Sequence, residues 1–399
     1  MDHRNLLDGA EPLTYFTSIM NDQTILMPKW NHLVIGRIRR LRRQISQRVW
    51  TRWARCRSRA HPLRSMESSL NGPRRILVVE TRHLGDVLFA TPAIRSLKLA
   101  FPHAHLAVLI CPGSEAVIRH NPAVDEILLF DKNHFPKMVE ILADRQFDLA
   151  CLLDRDDMLA QLAYLAGIPR RIGYDRQSCV RYLTDAVPRE QKGTSEIHWS
   201  VRLAYAAGGR PVEERTDLFL ERNNRMAMEK WNLEPRSFII LHPGSDPAVV
   251  YKRWPAQRFA EVARRLIERG HRVVITGLAS ENILKSVFPS HPLLSILVGG
   301  TALQDLICLI NACRLLITND TGPSHIAAAL NRPCIAVTGF ADPKIYHPYP
   351  EPHRAIYHPI PCSPCFGSRF DPQDCPFHSC IKAVTVDEVV TQATDLIAG

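Results

Sequence analysis

No run of about eighteen consecutive apolar residues occurs in this 399-residue chain, and its first thirty residues lack the basic-then-apolar pattern of an export signal. A membrane-crossing helix and secretion are therefore not expected, and the chain is expected to stay in the cytoplasm. There its eleven cysteines remain reduced, most of them inside apolar runs as small core residues. A broad excess of positive charge is also missing. The net charge is +10, but residues 1–70 hold 13 Lys and Arg against 5 Asp and Glu, which leaves 37 against 35 for residues 71–399. A nearly neutral body gives no reason to expect nucleic acid as a partner. The three-glycine fingerprint of a dinucleotide site is absent as well. The first strand-to-helix junction, Glu80-Thr-Arg-His-Leu-Gly-Asp86, has a single glycine, which disfavours a nicotinamide oxidoreductase. Finally, the loops that follow the C-terminal strands contain no DxD-type acidic pair. Asp154-Arg155-Asp156-Asp157 closes a strand of the N-terminal half and reads as a helix N-terminus rather than a cation site.

What is present is a repeated rhythm. Short apolar runs at Ile76–Val79, Leu106–Ile110, Ile127–Phe130 and Leu149–Leu153 alternate with helical patterns, and the rhythm restarts at Phe238–Leu241, Val273–Thr276, Leu294–Leu297, Leu315–Ile317 and Ile335–Val337. Such alternation predicts parallel sheets covered on both faces. The expected organisation is α/β with two doubly wound, Rossmann-like domains, residues 74–230 and 231–399, facing a central cleft, preceded by a basic arm over residues 1–73. The charged, Asn-rich stretch 221–236 reads as the linker.

Within the arm, apolar residues at 34, 35, 38, 41, 45, 49, 50 and 53 form one helical stripe, with arginines crowding the flanks. An amphipathic helix over 34–58, with Trp50 and Trp53 at its apolar edge, suits an anionic membrane surface. The alternative is a basic helix that packs on the body.

Two junctions stand out. Thr318-Asn-Asp-Thr-Gly-Pro-Ser-His325 follows a buried strand and opens a helix, so its backbone N–H groups and the positive end of the helix dipole converge on one point suited to an anion. The alternative is an ordinary turn capped by Asp320 or Thr321. In the other half, Asp86 sits where the helix after the first strand begins, either as a first-turn acid or as a base facing the cleft. His242-Pro-Gly-Ser245 follows the first strand of the second half, and Lys252 lies just before Pro255, near the cleft mouth, as a candidate diphosphate ligand.

Taken together, RRILVVETRHLGDVLFATPAIRSLKLAFPHA, HPGSDPAVVYKRWPAQRFAEVARRL, TGLASE and TNDTGPSHIAAALNRPCIAVTGF resemble glycosyltransferase family 9, the lipopolysaccharide heptosyltransferases, over about residues 74–399. The resemblance implies a GT-B fold and a nucleotide-sugar donor, typically ADP-heptose, with a negatively charged core glycolipid as acceptor and no cofactor. It implies Asp86 as general base, Lys252 on the diphosphate, Glu281 on the ribose, and Asp320, Thr321 and Gly322 as the phosphate and sugar loop, with Ser245 and His325 beside them. Arg82, His83 and Gly85 are expected on the acceptor side, where many members carry small hydroxyl residues at the positions of Arg82 and His83. A carboxylate to take the acceptor proton, and positive potential for the leaving diphosphate, suit direct inverting displacement without a catalytic metal. The competing classes are a family-9-like transferase for another nucleotide-sugar and a non-catalytic nucleotide-sugar-binding protein, which would have no use for Asp86. Cys362, Cys365, Cys375 and Cys380 have a spacing able to tie a structural zinc, with reduced unliganded thiols as the alternative.

Overall fold

The computed structural model describes residues 72–398 apart from 176–178, 190–192, 222–224, 348 and 366–371. The arm helix expected at 34–58 lies outside the described residues. In the first half, β1 (Arg75–Glu80), α1 (Leu84–Phe89), α2 (Thr91–Ala100), β2 (His105–Ile110), β3 (Glu126–Leu129), α3 (Phe135–Asp144), β4 (Leu149–Leu152), α4 (Asp157–Leu165), β5 (Arg170–Tyr174), β6 (Asp185–Val187) and α5 (Glu196–Ala206) follow in order. In the second come α6 (Arg225–Lys230), β7 (Phe238–His242), α7 (Ala256–Glu268), β8 (Arg272–Ile275), β9 (Leu294–Ile296), α8 (Leu303–Ala312), β10 (Leu315–Asn319), α9 (Gly322–Ala329), β11 (Cys334–Val337), α10 (Pro343–Tyr346), β12 (His353–Ile356), α11 (Ser379–Ala383) and α12 (Val386–Ala398).

Both sheets are parallel throughout and share one topology. The first runs β3-β2-β1-β4-β5-β6, and the second, read from its other edge, runs β9-β8-β7-β10-β11-β12. Each therefore has a switch point, between β1 and β4 and between β7 and β10, where connections leave in opposite directions and open a crevice at the carboxyl ends. Register places Ile76 between Leu106 and Leu149, and Ile240 between Val274 and Leu316. These strands are covered on both faces, which is why they read as unbroken apolar runs: Ile76, Leu77 and Val78 are 0% exposed. Each such side chain contributes about 1.5–3 kcal/mol by burial. Over the second sheet, α7 buries Phe259, Val262, Ala263 and Leu266 along one stripe and leaves its arginines outside.

The expected central strands form. β5, β6 and β12 were not expected, because edge and near-edge strands carry polar residues. In β5, Arg171 is buried, and its guanidinium donates to the carbonyls of Tyr182 at 2.6 Å and Pro169 at 3.1 Å, so a sequence that looks like a charged turn pairs as strand. The stretch 221–236, expected as a linker, contains α6, which packs on α8, and it buries Met228 and Leu233. Asp156 caps α4 by accepting from the Met158 N–H at 3.0 Å, as a helix start should.

Candidate active site

β1 ends at Glu80 and turns through Thr81-Arg82-His83 into α1. The turn is tied to the neighbouring strand end, since the Thr81 N–H and hydroxyl donate to the Asp154 carboxylate at 3.2 and 2.7 Å. Asp86 lands in the first turn of α1. Its Oδ2 accepts from the His83 N–H at 3.2 Å, and its Oδ1 pairs with Arg82 Nη1 at 2.9 Å. Burial is the largest influence on Asp86 and raises its pKa, Arg82 opposes it, and Glu196 adds to the rise. A carboxylate made more basic at the carboxyl end of a switch-point strand is suited to accepting a proton.

Beneath it lies a buried charge network. Glu80 is fully buried, and desolvation pushes its pKa up to about 7 against the pull of Arg82. Glu196, in the first turn of α5, pairs with Arg155 Nη2 at 2.6 Å, Arg82 Nη1 at 3.3 Å and Arg189 Nη2 at 4.0 Å. Tyr346, on α10 of the second half, lies within electrostatic reach of the same cluster. Neither Glu80 nor Glu196 was singled out in the sequence. Glu196 is 114 residues from Arg82, and no local pattern links them.

The two halves touch where α1 packs on α9. Gly85 abuts the His325 ring so closely that an added Cβ would stand 2.5 Å from Cδ2, while Leu84 lies against Gly322. Phe89 packs edge-on to His325 with centroids 4.9 Å apart, and Tyr349 Oη lies 2.9 Å from His325 Nδ1. Burial pushes the His325 pKa down to about 4, so the ring is neutral at pH 7. Gly85 and His325, expected on the acceptor and the donor respectively, thus meet each other.

On the second sheet, β10 ends at Asn319, which gathers the surrounding loops. Its Oδ1 accepts from the Trp254 N–H at 2.9 Å, and its Nδ2 donates to the Pro243 carbonyl at 2.7 Å and the Gly244 carbonyl at 3.3 Å. Thr321 is the N-cap of α9 in extended conformation, and Gly322 and Pro323 form the first helical positions. The first-turn N–H groups of a helix have no acceptor within it, so those of Thr321 and Gly322 form an end suited to an anion. Asp320 is buried, with Oδ1 4.0 Å from His325 Nε2. Lys252 Nζ lies 4.8 Å above the Phe340 ring and within electrostatic reach of His325.

Ser245 and Glu281 are tied into one loop network. The Ser245 hydroxyl accepts from Arg253 Nε at 2.9 Å and donates to the Asp246 and Val249 carbonyls at 3.2 and 3.3 Å, so it shapes the loop. Glu281 is 3% exposed and accepts from the Ser245 N–H, the Leu278 N–H and Arg253 Nη2, each at 2.9 Å. Gly244 is the residue that admits this carboxylate, since a Cβ there would stand 2.1 Å from Oε2. Arg253, which joins Ser245 to Glu281, was not singled out in the sequence. Cys365 and Cys380 lie within electrostatic reach of each other and of Cys362 and Cys375, but among the described residues no three His, Cys, Asp or Glu side chains form a metal-binding group. The zinc alternative gains no support. No described helix is long and apolar enough to cross a membrane.

Two six-stranded Rossmann-like sheets, with Asp86 at one switch point and the start of α9 at the other, define a glycosyltransferase of GT-B architecture. The chain belongs to glycosyltransferase family 9, the heptosyltransferase family, whose model matches residues 136–373. That span contains Lys252, Glu281 and the 318–325 loop and begins after Asp86. The chain is 28% identical over 307 residues to lipopolysaccharide heptosyltransferase 2 of Escherichia coli K12, covering 71% of this chain and 87% of that one. It is 25% identical over 351 residues to lipooligosaccharide heptosyltransferase 2 of Haemophilus ducreyi, covering 81% and 99%. Among solved structures, E. coli ADP-heptose lipopolysaccharide heptosyltransferase II matches with a TM-score of 0.69 at 25% identity, over 81% of this chain and 98% of that one.

Proposed function

We propose that the protein transfers a heptose from ADP-heptose to the core of lipopolysaccharide, with inversion and without a catalytic metal. The observation that carries this is the packing of α1 on α9, which brings the Asp86 turn against the helix start that carries Thr321 and Gly322. In the step that follows, Asp86 takes the proton of the acceptor hydroxyl as its oxygen bonds to the anomeric carbon. The bond from that carbon to the diphosphate breaks, and its electron pair leaves with the ADP. Lys252 and the N–H groups of Thr321 and Gly322 meet the charge on the departing phosphate. One displacement from the face opposite the leaving group inverts the centre. ADP-heptose is supported by the name of the E. coli enzyme that this chain resembles. The basic arm, by its composition, is suited to hold the enzyme at the cytoplasmic face of an anionic membrane, where a lipid-linked acceptor lies.

The test is transfer from a panel of radiolabelled nucleotide-sugars to delipidated core acceptor, with Asp86→Asn alongside and with excess EDTA. The reading expects ADP-heptose to lead the panel, turnover to drop about a hundredfold or more in the variant while ADP affinity stays within a few-fold, and activity to survive EDTA. Parental turnover in Asp86→Asn ends the assignment of the base. EDTA loss restored by Mg²⁺ ends the metal-free mechanism.

A further inference from the structure

Arg82 looks like a ligand for an anionic acceptor, but its donors are already engaged. Nε donates to Glu80 Oε1 at 2.9 Å, Nη2 to Glu80 Oε2 at 2.8 Å, and Nη1 reaches Asp86 Oδ1 at 2.9 Å and Glu196 Oε2 at 3.3 Å. Three of the five guanidinium N–H bonds thus donate to Glu80 and Glu196, and Nη1 also forms an ion pair with Asp86, so the group serves three carboxylates from β1, α1 and α5. Glu80 and Glu196 are 0% and 3% exposed, so the fork is anchored on two sides in the protein interior. Its outer end bears on one oxygen of Asp86, and the His83 N–H holds the other.

We propose that Arg82 is the positioning residue for the base: clamped by Glu80 and Glu196, it fixes the rotamer of Asp86 and keeps that carboxylate ionised beside two other acids. This rests on the reading of Asp86 as base. The other groups facing Asp86 are His83 on its own turn, Glu80 at the end of β1, Glu196 on α5, His325 on α9 and Tyr349 beyond it. Of the remaining charged groups on elements packed against α1, Arg95 is tied to Asp217, Lys98 to Asp125 at 2.7 Å, and Glu115 to the Gly113 N–H at 2.6 Å. Arg155 and Arg189 also pair with Glu196, but Arg82 is the cation that touches Glu80, Asp86 and Glu196 together. A lysine would supply the charge without the fork, because a single ammonium cannot span the Glu80 and Glu196 carboxylates and still reach Asp86.

The experiment compares parent, Arg82→Gln and Arg82→Lys in pH profiles of kcat and in KM for acceptor and donor. Calorimetry with ADP and thermal unfolding serve as controls. A base active when ionised loses turnover as pH falls through its pKa. Loss of the cation raises that pKa, so in Arg82→Gln the acid limb should move up by about one pH unit or more, with turnover at neutral pH down about tenfold and partly regained at higher pH. Arg82→Lys should keep the limb within about half a unit of the parent and leave a lowered plateau, since the charge is kept and the fork is lost. Acceptor KM should stay within about twofold in both. If Arg82→Gln does not fold, Arg82→Lys carries the test through the split between kcat and KM. A limb unmoved in Arg82→Gln, or a raised acceptor KM with kcat unchanged in either variant, overturns the proposal and returns Arg82 to the acceptor. A parent that transfers no sugar refutes the functional reading instead. In that event ¹³C carboxyl NMR, with Asp86 assigned by loss of its signal in Asp86→Asn, reads the same pKa shift without turnover, and an Asp86 pKa unchanged in Arg82→Gln overturns the positioning role.

Discussion

Replacing Gly85 by alanine tests the contact on which the site depends. The new methyl carbon would stand 2.5 Å from His325 Cδ2 and 3.1 Å from Nε2, inside van der Waals contact. The imidazole cannot simply step aside, because Nδ1 is held by Tyr349 Oη at 2.9 Å, Phe89 packs against the ring, and the residue is 8% exposed. Moving it forfeits about 0.5–1.5 kcal/mol for the hydrogen bond and a similar amount for the aromatic contact, and leaving it in place costs about 1–3 kcal/mol of overpacking. Against this, alanine gains about 1 kcal/mol of helix propensity over glycine. The net loss is about 1 kcal/mol, which at this chain length lowers the Tm by about 1–2 °C.

Calorimetry on Gly85→Ala, His325→Ala and the double variant measures the coupling. In the His325→Ala background the clash is gone, so the alanine at position 85 should be neutral or slightly stabilising, with a coupling of about 1.5 kcal/mol or more. Transfer assays should follow the same pattern, because the α1–α9 contact carries Asp86 on the next residue along. Equal destabilisation in both backgrounds would show that the penalty lies elsewhere. A Gly85→Ala enzyme of parental stability that binds acceptor poorly would restore the expectation that Gly85 lines the acceptor site.

Lys252→Ala should weaken ADP by roughly 1–3 kcal/mol in calorimetry with little change in Tm, as for a lost charge-assisted hydrogen bond; Glu281→Ala should weaken ADP and also lower the Tm, since the Ser245 N–H, Leu278 N–H and Arg253 lose their common acceptor. Stability should fall on acidification between about pH 6.5 and pH 4. Burial pushes His242 and His325 down to about 4 and His347 down to about 3, so the unfolded chain takes up protons that the folded one refuses, each group on the order of 3 kcal/mol. Glu80, raised to about 7, and Asp86, also raised by burial, act oppositely, two groups against four once His353, pushed down to about 4, is included, and urea unfolding at pH 7.5 and 5 would expose a wrong sign by showing equal or greater stability at pH 5. Deleting residues 1–70 should abolish sedimentation with anionic vesicles and leave transfer to a delipidated acceptor intact; equal sedimentation of the two forms would remove the arm from membrane binding.

The sequence carried the centre of each sheet and the β3 and β9 edges, and missed β5 and β6 at one margin and β12 at another. β1, β2, β7 and β10 are buried on both faces, so hydrophobicity alone marks them. β5 and β12 contain Arg170, Arg171, His353 and Arg354, so they lack an apolar run, and they pair with the preceding strands β4 and β11. The same division runs through the site. The 318–325 turn is legible because strand, small polar residues and helix are contiguous, and each local preference points the same way. Asp86 is legible as a helix-start acid. What the sequence does not display is where a charge is spent. Arg82 reads as a ligand until Glu80 and Glu196 are seen to hold it, Ser245 reads as a phosphate contact until Arg253 and two carbonyls claim its hydroxyl, and Gly85 reads as room for an acceptor until His325 fills that room. For Arg82 the Glu196 partner and for Gly85 the His325 partner come from distant segments, while Ser245 is held by its own loop. On the proposed reading, Asp86, Lys252, Thr321 and Gly322 would face substrate while the residues around them are consumed in holding them, which is the arrangement a preorganised electrostatic site requires.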